Sequence, residues 1–176
     1  MTDDEFYNFY REWECRKSGG MIDESVLLRW VTSPDLRVLY FAMEYYIENP
    51  TRCTEDTYKF ITALSVSLIH LNCDNLWLPS QYDVAEVLRN ALIKSIRLKD
   101  TLFTNVIKNI LKILIVSGNK SIADVATLGV LEHTILQKEI AIAFQDWENI
   151  PELKSAIDEA VVLASGFNLI IADSQI

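Results

Sequence analysis

Glycine and proline are scarce, five and four in 176 residues, so few tight turns are available. An all-β chain of this length needs many more, and a helical fold is expected instead. Histidine is scarcer: only His70 and His133 occur. Neither has a glutamate three residues before it, since Ser67 and Val130 stand there. The paired Glu-x-x-His pattern of a di-iron bundle is therefore missing. Leu71 and Thr134 follow the two histidines, so the His-Asp dipeptide of metal-dependent phosphohydrolases is missing too. His70 and Cys73 have the spacing of a ligand pair, but no second pair accompanies them. No glycine-rich phosphate loop and no G-x-S-x-G is present. No metal, no cofactor and no enzymatic activity are expected.

Cysteine is also sparse. Cys15, Cys53 and Cys73 are odd in number and not paired in spacing, which suits free, partly buried thiols in a reducing compartment. The N-terminus has neither a basic n-region nor an apolar h-region, so no signal peptide is expected. The central apolar run 113–116 is far too short to span a membrane. A cytoplasmic protein is expected.

Half of the residues are hydrophobic, which argues against disorder, and the length suits one domain with a substantial core. The net charge is −9. Nucleic acid is a poor partner for such a chain, because phosphate contacts need Lys and Arg. A basic protein is a good one. The charge is uneven: residues 1–60 carry 12 acidic and seven basic side chains, residues 61–120 four and seven, and residues 121–176 nine and two. Either the middle is buried and charge-poor, or the two ends supply an acidic surface. Arg89, Lys94, Arg97, Lys99, Lys108 and Lys112 fall in the basic middle, where helix C-termini also account for cations.

The most apolar segment is 101–117, TLFTNVIKNILKILIVS. Its polar residues reduce to one stripe, Thr101, Asn105, Lys108 and Lys112. A helix this apolar needs neighbours on several sides, so it is expected to be the buried centre. Around it, Thr2 with Glu5, Ser80 with Asp83 and Ser121 with Asp124 read as capping boxes, and Ser33-Pro34 as an N-cap followed by an N1 proline. Thr54 and Asp100 or Thr101 open two further helices, Asp23 a short one, and Pro151 the last. Gly118 and Gly166 read as helix ends. Expected inward faces are Phe6, Phe9, Tyr10 and Trp13; Leu36, Leu39, Tyr40, Met43 and Ile47; Val84, Val87, Leu88, Ala91 and Ser95; and Leu128, Leu131, Ile135 and Ile142. Phe41 and Tyr45 lie off their helix's stripe, either as partner anchors or packed on the aromatic first helix. Gly129, costing about 1 kcal/mol against Ala, marks a break or a close neighbour.

The expected fold is all-α: a single-domain irregular bundle of about seven or eight helices around a buried central helix. Residues 167–176 form a docked or flexible tail. Helix starts spaced about 20–26 residues apart allow a short helical-repeat stack as a second reading.

Two loops carry a tryptophan among polar residues: Asp74 to Trp77, and Asp146, Trp147 and Glu148 leading into Glu152. An exposed Trp ringed by carboxylates is a candidate hot spot for a basic partner, and a Trp folded over the core as a lid is the alternative. Among carboxylates, Asp83 and Glu86 are the one pair at i, i+3 within a helix body, short of the two pairs an all-α metal-dependent hydrolase uses.

This profile of one acidic domain with no catalytic signature resembles the small immunity proteins of bacterial contact-dependent growth inhibition and related toxin systems. The resemblance implies one-to-one binding of a toxin domain, most often a nuclease. The acidic surface would cover the toxin's basic cleft. The alternatives are a helical-repeat scaffold or adaptor and a metal-dependent hydrolase using Asp83 and Glu86. Oligomeric state is not legible.

Overall fold

The computed structural model describes the backbone of residues 1–19, 22–71 and 78–173, and the side chains of 1–16, 22–71 and 78–166. Within these residues the chain is all-α, with nine helices and no strand. They are α1 (Asp3–Gly19), α2 (Glu24–Val31), α3 (Leu36–Glu48), α4 (Glu55–Leu71), α5 (Gln81–Arg97), α6 (Thr101–Ile115), α7 (Lys120–Ala126), α8 (Lys138–Ala143) and α9 (Pro151–Asp173). Lengths from six to 23 residues give no uniform repeat. No helix among the described residues is long and apolar enough to cross a membrane.

Local chemistry sets most helix starts. The Thr2 backbone N–H donates to the Glu5 carboxylate and the Glu5 N–H to the Thr2 hydroxyl. Ser80 and Asp83 form the same reciprocal box at α5. Two expected caps lie elsewhere. Asp35, not Ser33, caps α3 by accepting from the Arg37 N–H, while Ser33 accepts from the Asp35 N–H just before it. Asn119, not Ser121, caps α7, its carbonyl oxygen accepting from the Ser121 and Ile122 N–H groups. Both substitutes are Asx residues, which bond their own backbone two residues on. The α5 C-terminus closes through Lys99 at φ 56°, with Lys99 N–H on the Ile96 carbonyl and Asp100 N–H on that of Ser95. That is a Schellman pattern built without glycine. Helix α6 ends at Ile115 with Val116 as its C-cap, so Gly118, at φ 74°, lies one residue beyond the expected C′ position.

Helix α3 divides the interior in two. Val38, Ala42 and Tyr45 face a cluster with Phe9, Trp13, Ile22, Val26, Leu27 and Trp30. Tyr40, Met43 and Ile47 face the main core, while Leu36 and Leu39 are half-buried against it. Phe41 packs on the first helix, its ring 4.7 Å from Trp13, 5.4 Å from Tyr10 and 6.0 Å from Phe9. The Tyr45 hydroxyl accepts from the Ile22 N–H at 3.1 Å and from the Arg52 guanidinium at 2.8 Å.

The main core forms on α6, which packs against α4, α5, α7 and α9. Phe103, Ile107, Ile110, Leu111 and Leu114 are fully enclosed. The wrapping covers one side only: Leu102 and Val116 are exposed, as are Thr101, Asn105 and Lys112 of the polar stripe. Lys108 departs from that stripe and is buried. It sits at the border of the apolar arc, so its methylene stem lies along the core.

The expected helix through 121–144 breaks into α7, a π-type turn over Thr127–Leu131 and α8. Glu132 N–H donates to the Thr127 carbonyl at 2.8 Å, one residue wider than an α-turn. Ile142 of its expected inner face is exposed. Gly129 lies in the turn, and a Cβ there would meet the Ala85 Cβ at 2.8 Å. Both readings of this glycine hold, a break and a close neighbour. Gly129→Ala is expected to destabilise by about 1–2 kcal/mol despite better helix propensity, because neither methyl can swing away. Ala85→Gly should recover part of that loss, read as urea midpoints of the four combinations.

At the other end, α9 runs through Gly166 to Asp173. The backbone of 167–173 is therefore helical, and a Cβ at Gly166 would meet no heavy atom within 4 Å. The docking of the tail's side chains lies outside the described residues.

Candidate functional site

The favoured acidic loop is a 3₁₀ turn, Gln145–Asn149, between α8 and α9. Its backbone closes with Trp147 N–H on the Phe144 carbonyl at 2.9 Å and Ile150 N–H on that of Trp147 at 3.0 Å. Trp147 is only 3% exposed and stands edge-on to Phe144, ring centroids 4.6 Å apart. It is a lid over the core and not an exposed anchor: all but one of its ring atoms are apolar, and the tight turn leaves the core as their nearest cover.

Lys108 holds this turn from below. Its ammonium donates to the Ala143 carbonyl and to Asp146 Oδ1, each at 2.5 Å. It also lies 5.3 Å from the Phe144 ring centroid and 6.0 Å from that of Trp147. Asp146 therefore faces solvent with its charge already answered. Glu148 and Glu152 are exposed and make no ion pair among the described residues. Their neighbours in sequence differ: Lys154 bonds Asp158 at 2.7 Å, and Lys120 joins Asp124 at 2.9 Å and Glu159 at 3.8 Å. Of the expected binding residues, Glu148 and Glu152 are available, Asp146 is structural in part, Trp147 is buried, and Asp74 and Trp77 lie outside the described residues.

Two of the six cations in the basic middle are engaged by backbone carbonyls, while Arg97, Lys99 and Lys112 are exposed. Lys94 donates to the Glu48 carbonyl at the C-terminal end of α3, and Lys108 is used as above. The Asp83 carboxylate accepts from the Ser80 N–H and hydroxyl, and Glu86 lies 3.8 Å from Arg89. His70 Nδ1 sits 2.8 Å from the Val66 carbonyl, within its own helix. Among the described residues no group of three or more His, Cys, Asp or Glu is placed to hold a metal ion. Cys15 and Cys53 are free thiols, the first exposed; Cys73 lies outside the described residues. Burial, with Asp100 adding to it, pushes the Cys53 thiol up to about 12, so it stays protonated and un-nucleophilic at neutral pH.

A second feature is not legible in the sequence: a cavity of about 370 Å³ between α1, α3 and the start of α5. Phe6, Tyr10 and Phe41 wall it, with Tyr40, Glu44 and Asp83. At its edge the Arg37 guanidinium lies 4.4 Å over the Phe6 ring and bonds Asp35, Asp3 and the Met1 carbonyl. The signals are present as the aromatic stripe of α1 and as Phe41 off the α3 stripe, but three separate segments build the space. The Arg37 hydrogen bonds hold the Asp35 carboxyl below its ordinary range. A depressed carboxylate contributes stability that is present above about pH 4 and lost as pH falls through its folded value. Asp35→Asn should therefore narrow the difference between urea midpoints at pH 7 and pH 3.

Comparison of the chain with protein-family models, with curated proteins and with solved structures finds no match.

Proposed function

We propose that the chain is a non-enzymatic protein-binding module for a basic partner, acting in the cytoplasm as an immunity-type inhibitor. The partner is a toxin domain, of nuclease type, whose basic cleft the acidic surface covers. The observation that carries this reading is the pair Glu148 and Glu152: exposed carboxylates outside any ion pair among the described residues, the first on a turn pinned by Trp147 and Lys108 and the second in the first turn of α9 directly after it. Charges on a pinned turn lose little conformational freedom on binding, so more of their attraction appears as affinity and encounter rate. The acidic composition of residues 121–176 extends the same field. A scaffold of uniform helical repeats draws no support from the uneven helix lengths. A hydrolase using Asp83 draws little from a carboxylate spent on its own helix cap.

The test is affinity capture from a lysate of the source cells with neighbouring gene products co-expressed. The wild-type chain is compared with Glu148→Lys/Glu152→Lys. Asp146 is left alone, because reversing it would place two ammonium groups together. The expected result is one basic protein, released by salt and lost from the reversed chain. Equal capture by both chains would remove this surface from the account. A thermal shift with Mg²⁺ that Asp83→Ala abolishes would replace the binding module with a hydrolase.

A further inference from the structure

Helix α6 is apolar almost all round, yet the described residues wrap one side of it only. We propose that its open side docks an amphipathic helix of a partner polypeptide, one with an apolar seam flanked by carboxylates. The reading shares no residue with the turn before α9 and stands whether or not that turn binds anything.

The first ground is spacing. Leu102, Val106, Asn109, Ile113 and Val116 follow one another at intervals of four, three, four and three. At 100° per residue they fall within about 80° of arc, the seam of a two-helix coiled coil. Leu102 is 62% and Val116 50% exposed, Asn109 is exposed, and Val106 and Ile113 are half-buried. Apolar residues scattered singly over a surface are ordinary. Four of them in heptad register around one asparagine are a seam without its second helix. Asn109, at the centre, is the kind of core polar residue that fixes register, and it calls for an amide or carboxylate opposite.

The second ground is charge. Lys112 and Asn105 occupy one flank of the seam, and Phe103 and Ile110 of the other flank are buried in the core. Arg97 and Lys99 stand exposed at the corner before α6, beside the exposed Leu98. None of these three cations makes an ion pair among the described residues. In a chain of net charge −9, that leaves a basic edge on the one apolar helix face in heptad register. Carboxylates at the flanking positions of a partner helix answer it. A second copy of the chain would bring the same cations and no seam carboxylate. An anionic membrane would meet the cations, but its surface repels the rest of so acidic a chain.

The test titrates a three-heptad helical peptide into the ¹⁵N-labelled chain at 0.15 M salt, where charges beyond about 8 Å are screened. The peptide carries leucine at its core positions, one core asparagine and glutamate at both flanking positions. Expected are saturable amide shifts at Leu102, Asn109 and Val116, with a Kd on the order of 100 μM for so small an interface. The same peptide with lysine at the flanks should bind about tenfold more weakly or not at all. Leu102→Ser/Val116→Ser should weaken binding about tenfold or more, and Lys112→Glu about threefold. All three side chains are exposed, and the spectra report whether each variant folds. None of these changes should alter capture of a basic partner, so failure here and failure of the acidic turn are read separately. No saturable shift, equal binding of the lysine peptide, or wild-type affinity in both variants would overturn the proposal. So would concentration-dependent dimerisation through the seam, or cross-peaks in the free chain between seam methyl groups and residues 167–176, since either assigns the seam another occupant.

Discussion

Trp147→Ala is expected to cost about 4 kcal/mol of folding stability. The indole is 3% exposed and lies in the same core as Phe144, Leu153 and the inner face of α6. Truncation removes its burial and leaves a cavity between Phe144 and α9 that rigid neighbours cannot close. Urea unfolding should show a large fall in midpoint. Trp147→Phe should retain more than half of the lost stability, because a ring still meets Phe144 edge-on. An exposed anchor would behave oppositely: the alanine variant would fold as well as wild type and lose only the partner. The same substitution thus separates a lid from a contact residue.

Lys108→Met is expected to cost about 3 kcal/mol. Methionine keeps the stem volume, so the loss isolates the ammonium. Its two hydrogen bonds at 2.5 Å are not of equal worth. The Asp146 side chain is 66% exposed and can turn to water. The Ala143 carbonyl, at the end of α8, loses a charged donor that complements the negative helix end. Asp146→Asn alone should therefore cost under about 1 kcal/mol. Most of the Lys108 effect should persist when it is measured on top of Asp146→Asn, which a double-mutant cycle reads directly. A cycle that gave the entire effect to the Lys108–Asp146 pair would show that the carbonyl contributes nothing.

The fold is largely legible in the sequence because local signals and periodicity agree. The Thr2–Glu5 and Ser80–Asp83 boxes mark real helix starts, and Val84, Val87, Leu88, Ala91 and Ser95 are all buried as their spacing implies. Expectation and structure part where two nearby residues can serve the same role. Asp35 competes with Ser33, and Asn119 with Ser121, and in both places the Asx side chain wins. Gly166 looks like a stop, but a glycine stops a helix only where the backbone must turn left-handed; α9 makes no such turn at Gly166, whereas the chain does turn so at Lys99 after α5 and at Gly118 after α6. Lys108 is the instructive miss for the site. Its charge assigns it to the solvated stripe, yet a long stem lets one residue line a core and cap a carbonyl. Trp147 misleads in the same way, since the polar residues around it hide an apolar ring turned inward. The cavity is illegible because its walls come from α1, α3 and α5, and no local pattern couples them.

The most direct test of the central claim is the association rate of the captured basic partner with the wild-type chain and with Glu148→Lys/Glu152→Lys, at low and at physiological salt. Steering by the acidic turn predicts a wild-type rate that falls about tenfold or more as salt rises, and a reversed chain that starts slow and loses most of that dependence. A wild-type rate indifferent to salt, or a reversed chain that associates as fast, would contradict it.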